Sequence, residues 1–69
     1  VQIIYTAYIT DGMSIAVANH PMTATFIQWG NSFILDKETK IPITVAIAFK
    51  DDGRIILANP LGLVFVLNL

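Results

Sequence analysis

The segment Ile41-Pro42-Ile43-Thr44-Val45-Ala46-Ile47-Ala48-Phe49-Lys50-Asp51-Asp52-Gly53-Arg54-Ile55-Ile56-Leu57-Ala58 decides the fold. From Ile41 to Lys50 the side chains alternate. Ile41, Ile43, Val45, Ile47 and Phe49 face one way, and Pro42, Thr44, Ala46 and Ala48 face the other. A period of two in β-branched and aromatic residues marks a strand, because successive side chains of extended backbone point to opposite faces. Asp51-Asp52-Gly53 then reverses the chain, with glycine supplying the positive φ that a tight hairpin needs. Arg54 to Ala58 is the returning strand.

The same pattern extends toward the N-terminus. Gln2 to Thr10 alternates, with Ile3, Tyr5, Ala7 and Ile9 on one face, and Asp11-Gly12 predicts a turn. Met13 to Asn19 reads as a second strand. Asn19-His20-Pro21 ends it, since proline cannot donate to a ladder and restricts the residue before it. Thr23 to Trp29 follows as a third strand, Gly30-Asn31 as a turn or bulge, and Ser32 to Leu35 as a short fourth strand. Asp36-Lys37-Glu38-Thr39-Lys40 reads as a solvent-exposed loop. Beyond Ala58, Asn59-Pro60-Leu61-Gly62 is a second reversal, and Leu63 to Leu69 a final apolar strand. No segment carries a capped helical stripe. The expectation is one all-β domain over residues 1–69, a small closed or partly closed antiparallel barrel or sandwich of about seven short strands.

Composition then restricts function. Hydrophobic residues are 55% of the 69 and charged ones 13%, about half the usual charged share of ~25%. A folded monomer of 7.6 kDa exposes roughly 4,300 Å² by the general size scaling. Nine charged side chains cannot cover that area, so apolar surface is left to face water or another protein chain. With four Lys/Arg against five Asp/Glu, the chain lacks the cationic surface that nucleic-acid binding requires. The uncharged run from Gly12 to Leu35 is long enough to span a bilayer as a helix. It is interrupted by Asn19-His20-Pro21, Gln28 and Gly30-Asn31 and alternates at period two, so it reads as strands. Starting at Val1 without an initiator Met, the chain reads as a processed or excised piece, with any membrane anchor outside it.

Chemistry has few candidates. His20 is the sole histidine and there is no cysteine, so neither a structural zinc site nor disulfides are expected. His20 with Asp11 and Ser14 or Ser32 supplies the residue types of a nucleophilic triad, but no spacing joins them, and His20 before Pro21 reads as a turn residue. Asp51-Asp52-Gly53 lacks the alternating acids and distal Glu of a calcium loop. The five aromatics Tyr5, Tyr8, Phe26, Trp29 and Phe33 read as core packing. No catalytic residue, cofactor or metal is expected.

Eight of the nine charges fall within 36–40 and 50–54, leaving nearly uncharged strand faces. Small residues recur on them, among them Ala16, Ala18, Ala46 and Ala48. Two readings stand side by side. In one, these alanines, with Val64 and Val66, form a surface for close approach of another sheet or an identical subunit. In the other, they occupy the cramped interior of a tightly curved barrel.

Several pieces carry a family resemblance: Trp29-Gly30-Asn31-Ser32-Phe33-Ile34, Val45-Ala46-Ile47, Asp52-Gly53-Arg54-Ile55-Ile56-Leu57 and Gly62-Leu63-Val64-Phe65-Val66-Leu67. Their succession resembles the small periplasmic β-domains of type II secretion protein C (its homology region) and of the related type IV pilus assembly lipoprotein. The usual acidic residue after the first glycine is absent, and this chain is less charged than those domains. The resemblance implies a docking module that binds an outer-membrane channel component by strand contacts, in a periplasmic or extracellular setting. The reading is therefore a non-catalytic protein-protein interaction module, or alternatively a self-assembling subunit of a filament, shell or oligomeric barrel.

Overall fold

The reversal at Asp51–Gly53 forms as the sequence predicts. In the computed structural model, which describes residues 1–10 and 13–67, the Lys50 N–H donates to the Arg54 carbonyl at 2.8 Å, and the Gly53 N–H to the Lys50 carbonyl at 2.8 Å. Gly53 has φ 87°, the left-handed residue that closes a three-residue hairpin loop. Five strands make up the described residues: β1 (Gln2–Ile9), β2 (Ile15–Asp36), β3 (Thr39–Phe49), β4 (Ile55–Ala58) and β5 (Val64–Val66).

The strands form one antiparallel sheet that curls into a ring. β1 pairs with the first half of β2, the second half of β2 with β3, and β3 with β4. The ring closes where Tyr8 of β1 meets Ala58 of β4, supported by a 2.8 Å bond from the Asn59 N–H to the Ala7 carbonyl. β5 continues along the same edge of β1, with Val64, Phe65 and Val66 opposite Ile4, Ile3 and Gln2. β1 is thus bonded on both edges, and the last strand pairs within its own chain.

Five strands stand where about seven were expected, because three predicted ones are a single strand. Asn19-His20-Pro21 does not end β2. Between the Tyr5–Met22 and Ala7–Val17 pairs, β1 advances two residues and β2 five, so the proline segment is looped out as a bulge opposite Thr6. That arrangement suits proline, which has no N–H to give to the ladder. Gly30 and Asn31 also stay in the ladder, opposite Val45 and Thr44. At Gly30 the missing side chain makes room: a Cβ there would stand 2.6 Å from Ile47 Cδ1 and 3.1 Å from its Cγ1. The actual irregularity lies at Ile27, an extra residue between the Phe26–Ala48 and Gln28–Ile47 pairs, which adds local twist. The twist lets 22 residues of β2 turn back until the Leu35 N–H reaches the Met13 carbonyl at 2.9 Å.

The loop expected at Asp36–Lys40 is shorter than predicted. Asp36 pairs with Thr39 and Leu35 with Lys40, so Lys37 and Glu38 alone make the turn, at φ 50° and 70°. Two positive φ values give the twist that matches flanking strands, but they favour Asn-Gly and strain longer side chains. At Asn59–Gly62 the Asn59 Oδ1 accepts from the Leu61 N–H at 2.9 Å, and the Leu63 N–H donates to the Pro60 carbonyl at 3.0 Å. Gly62 takes φ 77°, the third position of a type II turn. The turn predicted at Asp11-Gly12 and the end of the last predicted strand, Asn68-Leu69, lie outside the described residues.

Inside the ring sit Ile3, Tyr5, Ala24, Ala46, Ala48 and Ala58, with Tyr8, Met22, Phe26, Ile56 and Leu63 packed around them. Ala46 and Ala48 have no exposed area. They are interior residues of the curved sheet, which corrects their assignment to an interaction surface and leaves the cramped-interior reading for these two. The irregularity at Thr6 exchanges the faces of β1, so Tyr8 joins Ile3 and Tyr5 at the core in place of the expected Ala7 and Ile9.

Two outcomes test this description. Replacing Lys37-Glu38 by Asn-Gly should stabilise the fold by about 1 kcal/mol or more, raising Tm by roughly 4–8 °C per kcal/mol. Ala48→Leu should instead cost about 1–3 kcal/mol through overpacking. Thermal unfolding followed by circular dichroism reads both.

Candidate functional site

The molecule exposes 4897 Å², above the roughly 4,300 Å² expected for its mass, and measures 44 × 24 × 22 Å. Large apolar side chains contribute to it. Trp29, Phe33 and Leu35 on β2, Phe49 on β3 and Val64 and Phe65 on β5 are all more than a third exposed.

Trp29, Phe33, Leu35 and Phe65 share one face, and Phe49 and Val64 lie on the other. Cross-strand partners share a face, so Trp29 lies on the face of Ala46 and Phe65 on the face of Ile3. The interior face therefore runs past the ring and opens to solvent. Phe65 reaches from β5 to Phe26 and Trp29, with ring centroids 5.2 and 5.9 Å apart, and Phe26 and Trp29 are themselves 5.3 Å apart. All three contacts are edge-to-face, the arrangement that sets a positive ring edge against a negative face. Phe33 lies farther along the same face of β2, with the Lys40 ammonium 5.9 Å above its ring.

The outer edge of β5 borders this aromatic group. Among the described residues β5 is bonded to β1 alone within the sheet, so no described strand pairs with its other edge. Val64, Phe65 and Val66 contain none of the charges or prolines that commonly protect an edge. Val64 and Val66, both anticipated in the interaction surface, are opposite Ile4 and Gln2 on the outward face. Val64 is 55% exposed and Val66 partly so. Ala16 and Ala18 are partly exposed on the first half of β2, away from this edge on the other side of β1.

Of the polar residues singled out in the sequence, Asp11 lies outside the described residues, and His20 and Ser32 are set apart. His20 lies on the β2 bulge, where its Nδ1–H donates to the Pro21 carbonyl at 3.2 Å. A carbonyl only accepts, so this bond places the proton on Nδ1. Ser32 lines a different cleft, with Ile9, Met13 and Ile55. Among the described residues no group of three or more His, Cys, Asp or Glu side chains comes together as a metal site would require. At the β3–β4 hairpin, Asp52 accepts from the Arg54 backbone N–H at 3.0 Å and from its Nε–H at 2.7 Å. The aromatic group and the β5 edge carried only a partial sequence signal. Phe26 and Trp29 were legible as large residues, but their meeting with Phe65 depends on pairing across β1.

No family model matches the chain, and no curated protein or solved structure does.

The Asp52 geometry has a pH consequence. The Arg54 backbone N–H holds the Asp52 carboxyl below the usual carboxylate range, aided by the Arg54 guanidinium and by Lys50 and opposed by desolvation. A group with a lowered folded value adds stability above its unfolded value and loses that stability as pH falls through the folded one. Asp52→Ala should therefore unfold at lower temperature near neutral pH, and its gap from the parent should close on acidification below the usual carboxylate range. Melting curves of both proteins across a pH series check this.

Proposed function

We propose that this chain is a non-catalytic protein-interaction module that receives an extended segment of a partner along the outer edge of β5. The supporting observation is the juxtaposition of an uncharged, unpaired edge with the Phe26–Trp29–Phe65 group. A strand added there would gain main-chain hydrogen bonds from the edge, and its alternate side chains would find apolar contacts on the exposed interior face. The partner segment is accordingly extended, apolar and uncharged at its inward positions. Val64 and Val66 supply the outward side of the docking edge. The resemblance to the secretion and pilus β-domains favours the same mode, strand contact within an envelope assembly.

A second reading is self-assembly. An antiparallel pair of β5 strands about a twofold axis would place the same apolar edge on both copies, as an isologous interface requires. Sedimentation velocity from micromolar to millimolar concentration separates the two. A persistent monomer removes the self-assembly reading, and a concentration-dependent dimer supports it.

The test of the main proposal uses a synthetic peptide of residues 62–67 carrying a lysine tail for solubility. Its addition should shift amide signals of residues 63–67, slow their hydrogen exchange and move Trp29 fluorescence to shorter wavelength. Val64→Lys/Val66→Lys, which charges the edge at outward positions without touching the core, should weaken the peptide by about tenfold or more. If the amides of β5 do not respond to peptide at millimolar concentration, edge docking is wrong.

A further inference from the structure

The bulge at Asn19-His20-Pro21 opens a cleft of about 390 Å³, lined by Tyr5 and Tyr8 of β1, residues 17–20 and Met22 of β2, Lys50, Arg54 and Ile56. It shares no residue with the aromatic group beside β5. We propose that this cleft binds a small organic carboxylate with an apolar body.

The walls suit an apolar body. Val17, Ala18, Met22 and Ile56 are apolar, and Tyr5 and Tyr8 stand edge-to-face with centroids 6.3 Å apart. The volume lies within the range of roughly 300–1,000 Å³ usual for small-molecule sites. A hydrocarbon or aromatic body of a few carbons fits such walls.

The charged side chains suit an anionic group. Among the described residues no acidic side chain lines the cleft, whereas Lys50 and Arg54 both do. Lys50 is half-buried, and its ammonium donates to the Tyr5 hydroxyl at 3.3 Å while standing 5.9 Å from the centre of that ring. Among the described residues no carboxylate stands within ion-pair distance of it, although its charge helps lower the Asp52 carboxyl. An ammonium has three donors, and the neutral Tyr5 oxygen takes one. Arg54 commits its Nε–H to Asp52 at 2.7 Å, which leaves its terminal nitrogens for another acceptor. Asp51 and Asp52 lie beside Lys50 on the adjoining turn, so the four charges from Lys50 to Arg54 sum to zero, and the two cations are the ones that face the cleft. A singly charged carboxylate disturbs that balance less than a doubly charged phosphate ester. His20, held by its bond to Pro21, forms part of the rim.

The bulge brings the apolar walls and the two cations to one cleft. Without residues 18–21 looped out opposite Thr6, the first half of β2 would run straight beside β1. A distortion of this kind beside a group of polar side chains is a common way to form a binding site in a sheet.

The probe is 3-phenylpropanoate, followed by amide and side-chain chemical shifts. 3-Phenylpropanol serves as the uncharged control and phenyl phosphate as the doubly charged one. Shifts should concentrate at residues 17–22, Lys50 and Arg54, and the carboxylate should bind more tightly than either control. Lys50→Gln should weaken it about tenfold or more, the loss expected for one charged hydrogen bond, and Lys50→Arg should largely retain it. Because Lys50 also supports Tyr5, Val17→Glu provides an independent variant: Val17 is 74% exposed, so the change leaves the core intact while placing a repelling charge at the rim, and it should abolish binding. Equal affinity for the alcohol, undiminished binding to Val17→Glu, or shifts confined to Trp29 and Phe65 would each overturn the proposal.

Discussion

Closing a sheet of so few strands depends on the size of what lies inside it. A ring of four paired strands leaves little interior width, and four of the six residues at the centre of this core are alanines: Ala24, Ala46, Ala48 and Ala58. They allow the strands to curve over Ile3 and Tyr5. Among the largest fully buried side chains only Ile3 and Val45 occur, and Val45 is adjacent to Ala46 in β3 and so points to the opposite face. The consequence is a thin core and a large apolar remainder outside it. Each fully buried large aliphatic or aromatic side chain contributes about 1.5–3 kcal/mol, so a chain that leaves Trp29, Phe33 and Phe65 partly in water forgoes part of that stabilisation. Either their exposure is a direct loss, or contact with another polypeptide recovers it, and the β5 edge beside them offers such a contact.

β1 is the strand through which this arrangement is organised. One edge carries β2 and the other carries β4 and then β5. Around Thr6 both neighbours depart from regular pairing, β2 through the His20–Pro21 bulge and the β4–β5 chain through the Asn59–Gly62 turn. From the Ile4–Val64 pair to the Tyr8–Ala58 pair, β1 advances four residues and its partner six. Relief on both sides of one residue lets β1 turn its inward face from Tyr5 to Tyr8. The same distortion opens the cleft at which Lys50 meets Tyr5.

The parts of this fold that were legible in the sequence are those written in local chemistry. The Asp51-Asp52-Gly53 hairpin needs a left-handed residue, and Gly53 provides one. The Asn59–Gly62 reversal combines an Asx turn with a left-handed glycine. Period-two alternation along Ile41 to Phe49 is equally local. What local reading missed depends on partners distant in the chain. Pro21 signals a break, yet a neighbouring β1 allows the proline to be looped out while β2 continues. Gly30 signals a turn, yet Ile47 across the ladder occupies the space over it. Lys37 and Glu38 are poor choices for left-handed positions, and only the pairing of Asp36 with Thr39 places them there. The alanines allowed both a surface and an interior reading, and ring closure, which lies beyond the reach of periodicity, sends Ala46 and Ala48 inside.

Lys50 carries the remaining tension between structure and function. Part of its role is structural: Tyr5 is 2% exposed, and its hydroxyl would lose about 1–3 kcal/mol if left without a partner. A neutral donor such as Gln could meet that need without bringing a charge into a half-buried position. The Tyr5 oxygen is one acceptor for the ammonium there. Asp51 and Asp52 lie beside it on the adjoining turn, and Asp52, though paired with Arg54, still feels the Lys50 charge. The hairpin acids therefore balance part of that charge, while the Lys50 side chain also faces the cleft. An anion there would add an acceptor for the ammonium donors that Tyr5 leaves unused.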